Sequence, residues 1–201
     1  MPAELRGAFV AARVDAASSP DLLMMFHRAG FYCVDNEITL KYVSAVGPQR
    51  AHNPGVRVEE FHKNENLPYD RLGGVFSLTR FHYDPHVGKT QADHLWSEYI
   101  RNYRPSPEAR LFVAICDEEV AGCFTVSVRG PAHILSFVSV LDKFRGRAVG
   151  SSLLQAVVSA CGGSNLLTET QSRNLAAVNF YIKNGFRRIE KTSVVMHRWD
   201  Q

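Results

Sequence analysis

One segment in the second half of the chain has the residue types and spacing of an anion-binding loop. It runs from Asp142 to Ser151, follows an apolar run, and places Arg145 and Arg147 among small residues at the start of a predicted helix. Backbone N–H groups at a helix N-terminus bind anions, and small residues let an anion approach closely. The segment therefore predicts a pyrophosphate site. The alternative is an ordinary strand-to-helix turn with solvated arginines.

A second segment, Asn174 to Phe186, places a tyrosine on one face of a predicted helix. Asn174, Ala177, Tyr181 and Gly185 are spaced so that they share that face. Asn174 has the side chain of a helix N-cap, and Gly185 is suited to the position just past the helix end. The alternative is a capped amphipathic helix whose tyrosine packs in the core.

Apolar patterns around these segments predict the elements that position them. Strands are predicted over 111–116, 120–128, 133–140 and 166–170, and a closing pair of strands over 188–199. Helices are predicted over 93–100, from Val149 to a stop at Gly162-Gly163, and after Asn174. The run 133–140 is apolar on both faces, which is typical of a central strand in a covered sheet.

The first 55 residues are predicted to form a small α/β unit. Its elements are a strand over 8–14, a helix capped by Ser18–Asp21 and ended by Gly30, and two strand-like runs, 31–34 and 38–42, around a polar turn at 35–37. Breakers at Gly47-Pro48 and Asn53–Gly55 place a domain boundary there. Residues 56–201 then form the second domain, with a strand from Val56 and loops around short helices over 61–88.

The two segments in this order, separated by a strand, resemble the GNAT superfamily of acyl-CoA-dependent N-acyltransferases. That family's loop reads R/Q-x-x-G-x-G/A and its helix N-x-x-A-x-x-x-Y-x-x-x-G-F. The matching positions here are Arg145, Gly150, Asn174, Ala177, Tyr181, Gly185 and Phe186. Ala148 departs from the pattern, because it stands where the first loop glycine usually sits, and its Cβ is expected to crowd a pyrophosphate or restrict the turn. The resemblance spans about 56–199 and implies an α/β fold with a GNAT-type central mixed, mostly antiparallel sheet flanked by helices.

The resemblance implies acetyl-CoA as coenzyme, and the residues themselves predict no metal. In such folds the pantetheine arm lies between two splayed strands, a role that falls to the backbone of Val138, Ser139 and Val140, with the gap opening toward 167–169. Asn174 and Ala177 are expected beside the coenzyme. The pyrophosphate is expected on Arg145, Gly146, Arg147, Ala148, Val149, Gly150 and Ser151.

The chemistry implied is attack of an amine on the thioester carbonyl. The N–H of Val140 is expected to stabilise the oxyanion, and Tyr181 to donate a proton to the departing thiolate. The sequence does not identify the base that takes a proton from the amine. Each of four candidates has a structural role as its alternative: Glu169, Asp142, His133 and His82.

The layout of the chain also looks like the TDP-fucosamine acetyltransferase group, whose acceptor is a nucleotide-linked amino sugar. The likeness rests on the small N-terminal unit and on a short segment in which Arg80, Phe81 and His82 are candidate substrate-binding residues, followed by Trp96 and Tyr99-Ile100. The alternatives are an acetyltransferase of a protein N-terminus or a polyamine, and a CoA-binding protein without catalysis. The alternative that residues 80–82 form only a surface loop also stays open.

Composition excludes several other classes. The 201 residues include 23 Lys plus Arg against 20 Asp plus Glu, so a net charge of +3 with no basic run argues against a nucleic-acid binder. No apolar stretch approaches the about 20 residues of a membrane span, and the start of the chain is a poor signal peptide. Four scattered cysteines, and histidines 82, 86 and 94 at irregular spacing, disfavour disulfides and a metal site. A cytoplasmic protein acting on a small-molecule amine is expected, with a homodimer left open.

Overall fold

The computed structural model describes residues 9–43, 53–62, 66–162 and 165–199. Its strands are β1 (Phe9–Asp15), β2 (Tyr32–Tyr42), β3 (Val56–Phe61), β4 (Ala109–Cys116), β5 (Glu119–Arg129), β6 (Ala132–Val140), β7 (Leu166–Gln171) and β8 (Phe186–Trp199). Its helices are α1 (Pro20–Arg28), α2 (Tyr69–Gly73), α3 (Lys89–Arg101), α4 (Val149–Ala160) and α5 (Leu175–Lys183). The eight strands form a single sheet in the order β1-β8-β2-β7-β6-β5-β4-β3. Among the described residues, β6 and β7 are the one parallel pair. The predicted mixed, mostly antiparallel sheet is confirmed.

Helix ends follow the capping signals in the sequence. Ser19 accepts a hydrogen bond from the N–H of Leu22 ahead of α1, and Asn174 accepts one from Ala177 at 3.1 Å ahead of α5. Gly185 follows α5 with φ +100, where a Cβ would lie 2.7 Å from the Tyr42 ring. Only glycine fits there, because the backbone is left-handed and the space is filled.

Two predicted breaks within strands are wrong. β2 runs without interruption through the polar residues 35–37, because Asp35 is buried and its carboxylate accepts hydrogen bonds from the Asn36 N–H and from Arg173. A bulge between Cys33 and Asp35 absorbs the change of register. The predicted closing pair of strands is one long strand, β8, which pairs with β1 on one side and β2 on the other.

The predicted N-terminal unit shares its sheet with the rest of the chain. β1 lies at the sheet edge beside β8, and β2 lies between β8 and β7. The breaker Gly47-Pro48 lies outside the described residues. The division of the chain at residue 55 therefore stays a prediction, while β1 and β2 stand next to the strands that form the candidate site.

The two faces of the sheet carry different helices. Gly150 of α4 lies against the ring of Phe180 in α5 and close to Val140 of β6, so α4 and α5 cover one face. Ser139, which directly precedes Val140 in β6, points its side chain to the opposite face of the sheet. There its hydroxyl donates to the carbonyl of Leu72 in α2 at 2.8 Å, beside α3. These are called the α4–α5 face and the α2–α3 face.

Candidate active site

The parallel strands β6 and β7 separate partway along their length. They pair through three residues each, with His133, Ile134 and Leu135 opposite Leu166, Leu167 and Thr168. Beyond that point a cleft of about 780 Å³ opens between the strands. The register of β6 against β5 shifts at Ser136, which is the extra residue of a β-bulge. A bulge bends the strand that carries it, and here it coincides with the start of the divergence.

The gap begins later along β7 than the sequence predicted. Leu167 and Thr168 are still paired with β6, so of the predicted residues 167–169 only Glu169 lines the cleft, followed by Thr170 and Gln171. These pairs are the parallel pairing that joins β6 to β7, so the cleft opens only beyond them.

The edge of β6 that faces the gap offers unpaired backbone groups. The Leu141 N–H donates to the Ala121 carbonyl of the neighbouring chain segment at 2.9 Å. Backbone groups alternate in direction along a strand. The N–H groups of Val138 and Val140 therefore point into the gap, and both residues line it. Ser139 is placed differently, because its backbone faces β5 and its side chain is buried against α2.

The predicted pyrophosphate loop lies at one end of this cleft. Arg145, Gly146, Ala148, Val149, Gly150 and Ser151 line it. Ala148 is the N-cap of α4, in a left-handed conformation with φ 59, and it provides no side-chain acceptor for the first helical N–H groups. Those N–H groups are the ones that a helix itself leaves without partners. They are therefore available to an anion.

The two arginines of the loop are placed differently from each other. Arg145 lines the cleft, and its guanidinium lies 2.9 Å from Asp142 at the surface. Arg147 turns away and pairs with Asp117 at 2.7 Å, with its guanidinium over the Phe144 ring. The Arg147 carbonyl accepts a hydrogen bond from Asn53. Arg147 thus fixes the outside of the loop, and Arg145 is the arginine that faces the cleft.

Tyr181 stands in the wall of the cleft on the α4–α5 face. Its side chain is buried, at 4% exposure, and burial raises the pKa of its phenol to about 12, while the Thr168 hydroxyl acts in the opposite direction. The phenol therefore stays protonated at neutral pH. Asn174 and Ala177 of the same helix face also line the cleft. The amide oxygen of Asn174 is occupied by the cap, which leaves its NH₂ group for a ligand.

The predicted substrate-binding residues fall on the α2–α3 side of the molecule. Phe81 is buried with its ring 5.5 Å from that of His197. His82 is held by the Thr79 hydroxyl at 2.8 Å and by Asp93 at 3.0 Å. The side chains of Phe81 and His82 are therefore structural contacts in this arrangement. Arg80 differs, because its guanidinium lies beside carboxylates near the cleft.

The four candidate bases are separated by their positions. Asp142 is paired with Arg145 on the surface, and His82 is tied to Asp93. His133 lies at the closed end of the β6–β7 pair. Within the described ranges, Glu169 is the one of the four that lines the cleft.

Sequence reasoning missed part of the cleft wall. The stretch 61–88 was predicted as loops around short helices, yet its residues Val75, Phe76 and Leu78 line the cleft, together with the predicted Trp96. The ring of Phe76 stacks on that of Trp96 at 5.1 Å. An aromatic pair separated by twenty residues leaves no periodic signal, so this wall was not detectable from spacing.

Metal and membrane features are not found in the part of the chain that the structure describes. There, no three His, Cys, Asp or Glu side chains are grouped closely enough to hold a metal ion. None of the described helices combines the length and the apolar character needed to cross a bilayer.

Comparisons with known proteins agree with this geometry. Residues 107–188, which contain β6, the loop, α4, β7 and α5, match the family described as the acetyltransferase (GNAT) domain. The curated spore coat polysaccharide biosynthesis protein SpsD of Bacillus subtilis (strain 168) is 27% identical over 127 residues, which cover 62% of this chain. The matched region spans 44% of that relative's length.

Solved structures support the fold across the whole chain. A GCN5-related N-acetyltransferase from Sphaerobacter thermophilus superposes with a TM-score of 0.63 at 16% identity, covering 97% of this chain and 61% of its own. A conserved protein of unknown function from Staphylococcus epidermidis gives 0.68 at 13% identity, covering 96% of this chain and 73% of its own. Residues 107–188 thus match the acetyltransferase (GNAT) domain, as the loop and helix motifs predicted, and the chain shares the fold of these solved structures.

Proposed function

We propose that the chain is an acetyl-CoA-dependent N-acetyltransferase that acts on a primary amine. The observation that carries the proposal is the cleft between β6 and β7, which has the N-terminus of α4 at one end and Tyr181 in its wall. An extended ligand pairs with exposed strand backbone as an added strand does. A helix N-terminus binds phosphate groups. In coenzyme A the pantetheine is joined to the pyrophosphate. The cleft can therefore bind the pantetheine along the strand edge and the pyrophosphate at the N-terminus of α4.

The coenzyme contacts follow from which groups are free. Val138 and Val140 offer backbone groups to the pantetheine amides, and Asn174 offers its NH₂ group. The N–H groups of residues 149–151 take the pyrophosphate. Arg145 is paired with Asp142 only at the surface, where such ion pairs contribute little, so it is free to turn to a phosphate.

The reaction requires few groups. The amine nitrogen attacks the thioester carbonyl, and the N–H of Val140 stabilises the oxyanion that forms. The C–S bond then breaks, and Tyr181, whose phenol is protonated at neutral pH, donates its proton to the thiolate. Tyr181 recovers a proton from the nitrogen. Overall an ammonium and acetyl-CoA give an amide, CoA thiol and one proton released to water.

For the acceptor we favour a nucleotide-linked amino sugar of the TDP-4-amino-deoxyhexose type. The support is the sequence likeness to the TDP-fucosamine acetyltransferase group and the 27% identity to a protein named for spore coat polysaccharide biosynthesis. A protein N-terminus or a polyamine is the alternative acceptor. The four cysteines are unpaired thiols, which fits a reducing compartment, and we place the protein in the cytoplasm.

Replacing Tyr181 with Phe tests the mechanism. We expect kcat for amine-dependent CoA release to fall about tenfold or more, since general acid catalysis contributes at least that much. Acetyl-CoA should still stabilise the variant against thermal unfolding, by about 2.7 kcal/mol at one hundred times its Kd. Tyr103→Phe is the matched control, because its hydroxyl donates to the Arg110 carbonyl away from the cleft.

Three results would count against the proposal. If acetyl-CoA does not stabilise the wild-type chain, the coenzyme site is wrong. If it does but no amine releases CoA, the chain is a CoA-binding protein without catalysis. If Tyr181→Phe turns over at the wild-type rate, the phenol is not the acid.

A further inference from the structure

Charged side chains from both halves of the chain meet on the α2–α3 face beside the cleft. Thr39 is paired with Glu169, and Glu37 with Gln171, so Glu37 and Glu169 lie diagonally on the same face of β2 and β7. Arg129 at the end of β5 reaches Glu169 from across β6, at 3.7 Å. Arg13 of β1 and Arg80 complete the group. We call these five residues the charged face: Arg13, Glu37, Arg80, Arg129 and Glu169.

One pair within the charged face is held by two hydrogen bonds. Arg13 donates two hydrogen bonds to the Glu37 carboxylate, at 2.6 Å and 3.2 Å. The Glu37 side chain is only 8% exposed. Glu37 therefore has little capacity for a ligand, whereas Arg13 is 42% exposed and keeps guanidinium donors that Glu37 does not use. The pair serves as a floor that holds its neighbours in place.

Arg80 has donors that its neighbours do not satisfy. Its guanidinium lies 3.7 Å from Glu37, which is beyond hydrogen-bond distance, and 4.8 Å from the centre of the Phe81 ring. Its Nε atom is buried and has no hydrogen-bond partner among the described residues. A buried guanidinium N–H without an acceptor is costly. The Arg80 side chain is 21% exposed, so an anionic group can approach the remaining N–H donors of the guanidinium.

Glu169 is the member of the charged face that reaches the cleft. It lines the cleft on the face opposite Tyr181, its side chain is 30% exposed, and its ion-pair partner is the loosely placed Arg129. Its charge also interacts with those of Arg80 and Arg13. A carboxylate in this position can pair with an ammonium that enters from the α2–α3 face, while the coenzyme occupies the α4–α5 face.

The balance of charge defines the kind of acceptor. The charge of Asp35 also acts on Arg80, and Arg173 pairs with Asp35 at 3.0 Å. With these two included, four arginines against three carboxylates leave one positive charge in excess when all three carboxylates are ionised. A ligand with ammonium groups alone, such as a polyamine, would add to that excess. A ligand with an ammonium and an anionic group would place the first against Glu169 and the second against Arg80.

We infer that the acceptor is an amine that carries an anionic group, with Glu169 binding its ammonium and Arg80 and Arg129 binding its anion on the charged face. The inference rests on the proposed acetyl transfer and assigns the chemical class of its acceptor. The ammonium passes a proton to the Glu169 carboxylate and becomes the nucleophile. Because Arg13 and Glu37 form the floor, β1 and β2 belong to the acceptor site.

Two amines that differ only in an anion test this inference. The wild-type chain is assayed for CoA release with glucosamine and glucosamine 6-phosphate, and with serine and serinol as a carboxylate pair. We expect kcat/KM to be about tenfold to hundredfold higher for the anionic member of at least one pair, the range of a hydrogen bond to a charged group. The pair that shows the larger ratio identifies the anion as phosphate or carboxylate.

Variants of the charged face test which residues cause the preference for the anionic amine. Arg80→Gln and Arg129→Gln should raise KM for the anionic amine about tenfold, and by more than they change KM for the neutral amine. Arg129 is 61% exposed, so its variant is expected to fold even if the Arg80 variant does not. Glu169→Gln should lower kcat with both amines. Arg57→Gln is the matched control, an exposed arginine paired with one glutamate on the edge strand β3.

The outcomes separate this inference from the proposed function. Equal kcat/KM within both pairs, or an unchanged preference in both arginine variants, overturns the acceptor class while acetyl transfer stands. A higher kcat/KM with spermidine than with either anionic amine overturns it in favour of a polyamine. If no amine releases CoA from a chain that acetyl-CoA stabilises, both proposals fail.

Discussion

Ala148 brings a backbone constraint into the coenzyme loop. Its φ of 59 lies in the left-handed region, which costs a residue with a Cβ about 1–2 kcal/mol. Glycine removes that cost. Its greater conformational freedom in the unfolded chain, however, lowers the free energy of unfolding by about 0.4–1 kcal/mol. From the sequence, the Cβ was expected to crowd a pyrophosphate or restrict the turn. The structure shows that the turn forms with the alanine in place.

We predict that Ala148→Gly stabilises the chain by about 0.5–1 kcal/mol, which corresponds to a rise in Tm of about 1–4 °C. Calorimetry of the chain without coenzyme measures this. Gly146→Ala is a control with the opposite expected sign. Gly146 has φ 77 on the same loop, so the alanine variant should be less stable than the wild-type chain. A fall in Tm for Ala148→Gly would mean that the loop gains more from the stiffness of alanine than it loses in strain.

At the scale of elements, α5 depends on its cap to present Tyr181. The Asn174 side chain accepts the Ala177 N–H at 3.1 Å, and loss of such a cap costs about 1 kcal/mol. We predict that Asn174→Ala lowers Tm by about 2–4 °C and also raises KM for acetyl-CoA, since the Asn174 NH₂ group faces the cleft.

The cap of α1 provides the control for this prediction. Ser19 caps its helix through a longer contact of 3.4 Å, away from the cleft. Ser19→Ala should therefore lower Tm by the same amount or less and leave KM for acetyl-CoA unchanged. An equal change of KM in both variants would show that the effect passes through stability and not through the coenzyme contact.

The elements also show which features a sequence can reveal. Local signals located the helices and most strands, because caps, glycines and apolar periods act over a few residues: Ser19, Asn174 and Gly185 stand where they were expected. The polar stretch 35–37 was wrongly taken as a turn, because burial of Asp35 against Arg173 depends on a partner 138 residues away. The bulge at Ser136 and the apolar wall at Phe76 also depend on distant contacts, and no spacing rule anticipates them.

At the scale of the whole molecule, one buried carboxylate joins distant parts of the chain. Asp84 accepts hydrogen bonds from the Tyr32 hydroxyl at 2.7 Å, from His197 Nδ1 at 2.6 Å and from Trp199 Nε1 at 3.0 Å. Tyr32 belongs to β2, and the other two belong to the end of β8. The loop that carries Asp84 follows directly after Arg80 and His82. The network therefore fixes the charged face relative to the N-terminal strands.

We predict that Asp84→Asn lowers the free energy of unfolding by about 2–3 kcal/mol, because the amide cannot accept all of these hydrogen bonds and adds donors of its own. Urea unfolding measures the loss. Asp93→Asn is the matched control, since Asp93 holds His82 and Lys89 at a more exposed position and should cost less. An equal loss in the two variants would contradict a special role for Asp84.

The pH dependence of stability follows from the same network. Burial lowers the pKa of His197, and the pairing with Asp84 offsets this only in part, so the folded chain keeps His197 neutral where the unfolded chain begins to bind a proton, below about pH 6.5. Burial alone would raise the pKa of Asp84, but its hydrogen bonds lower it, so protonating this carboxylate below about pH 4 costs further stability. Both groups therefore make the chain less stable as the pH falls.

The sign of this linkage can be tested at His197 directly. Between pH 7.5 and 5 the free energy of unfolding of the wild-type chain should decrease. His197→Gln removes the proton that only the unfolded state takes up, so its loss over the same interval should be smaller, whatever its stability at pH 7.5. His94→Gln, at a position whose side chain is 64% exposed, should keep the wild-type slope. If His197→Gln keeps that slope as well, His197 takes up protons equally in the folded and unfolded chains, and the proposed linkage is wrong. A larger loss in His197→Gln than in the wild-type chain would mean that His197 is charged in the folded chain, as an ion pair with Asp84.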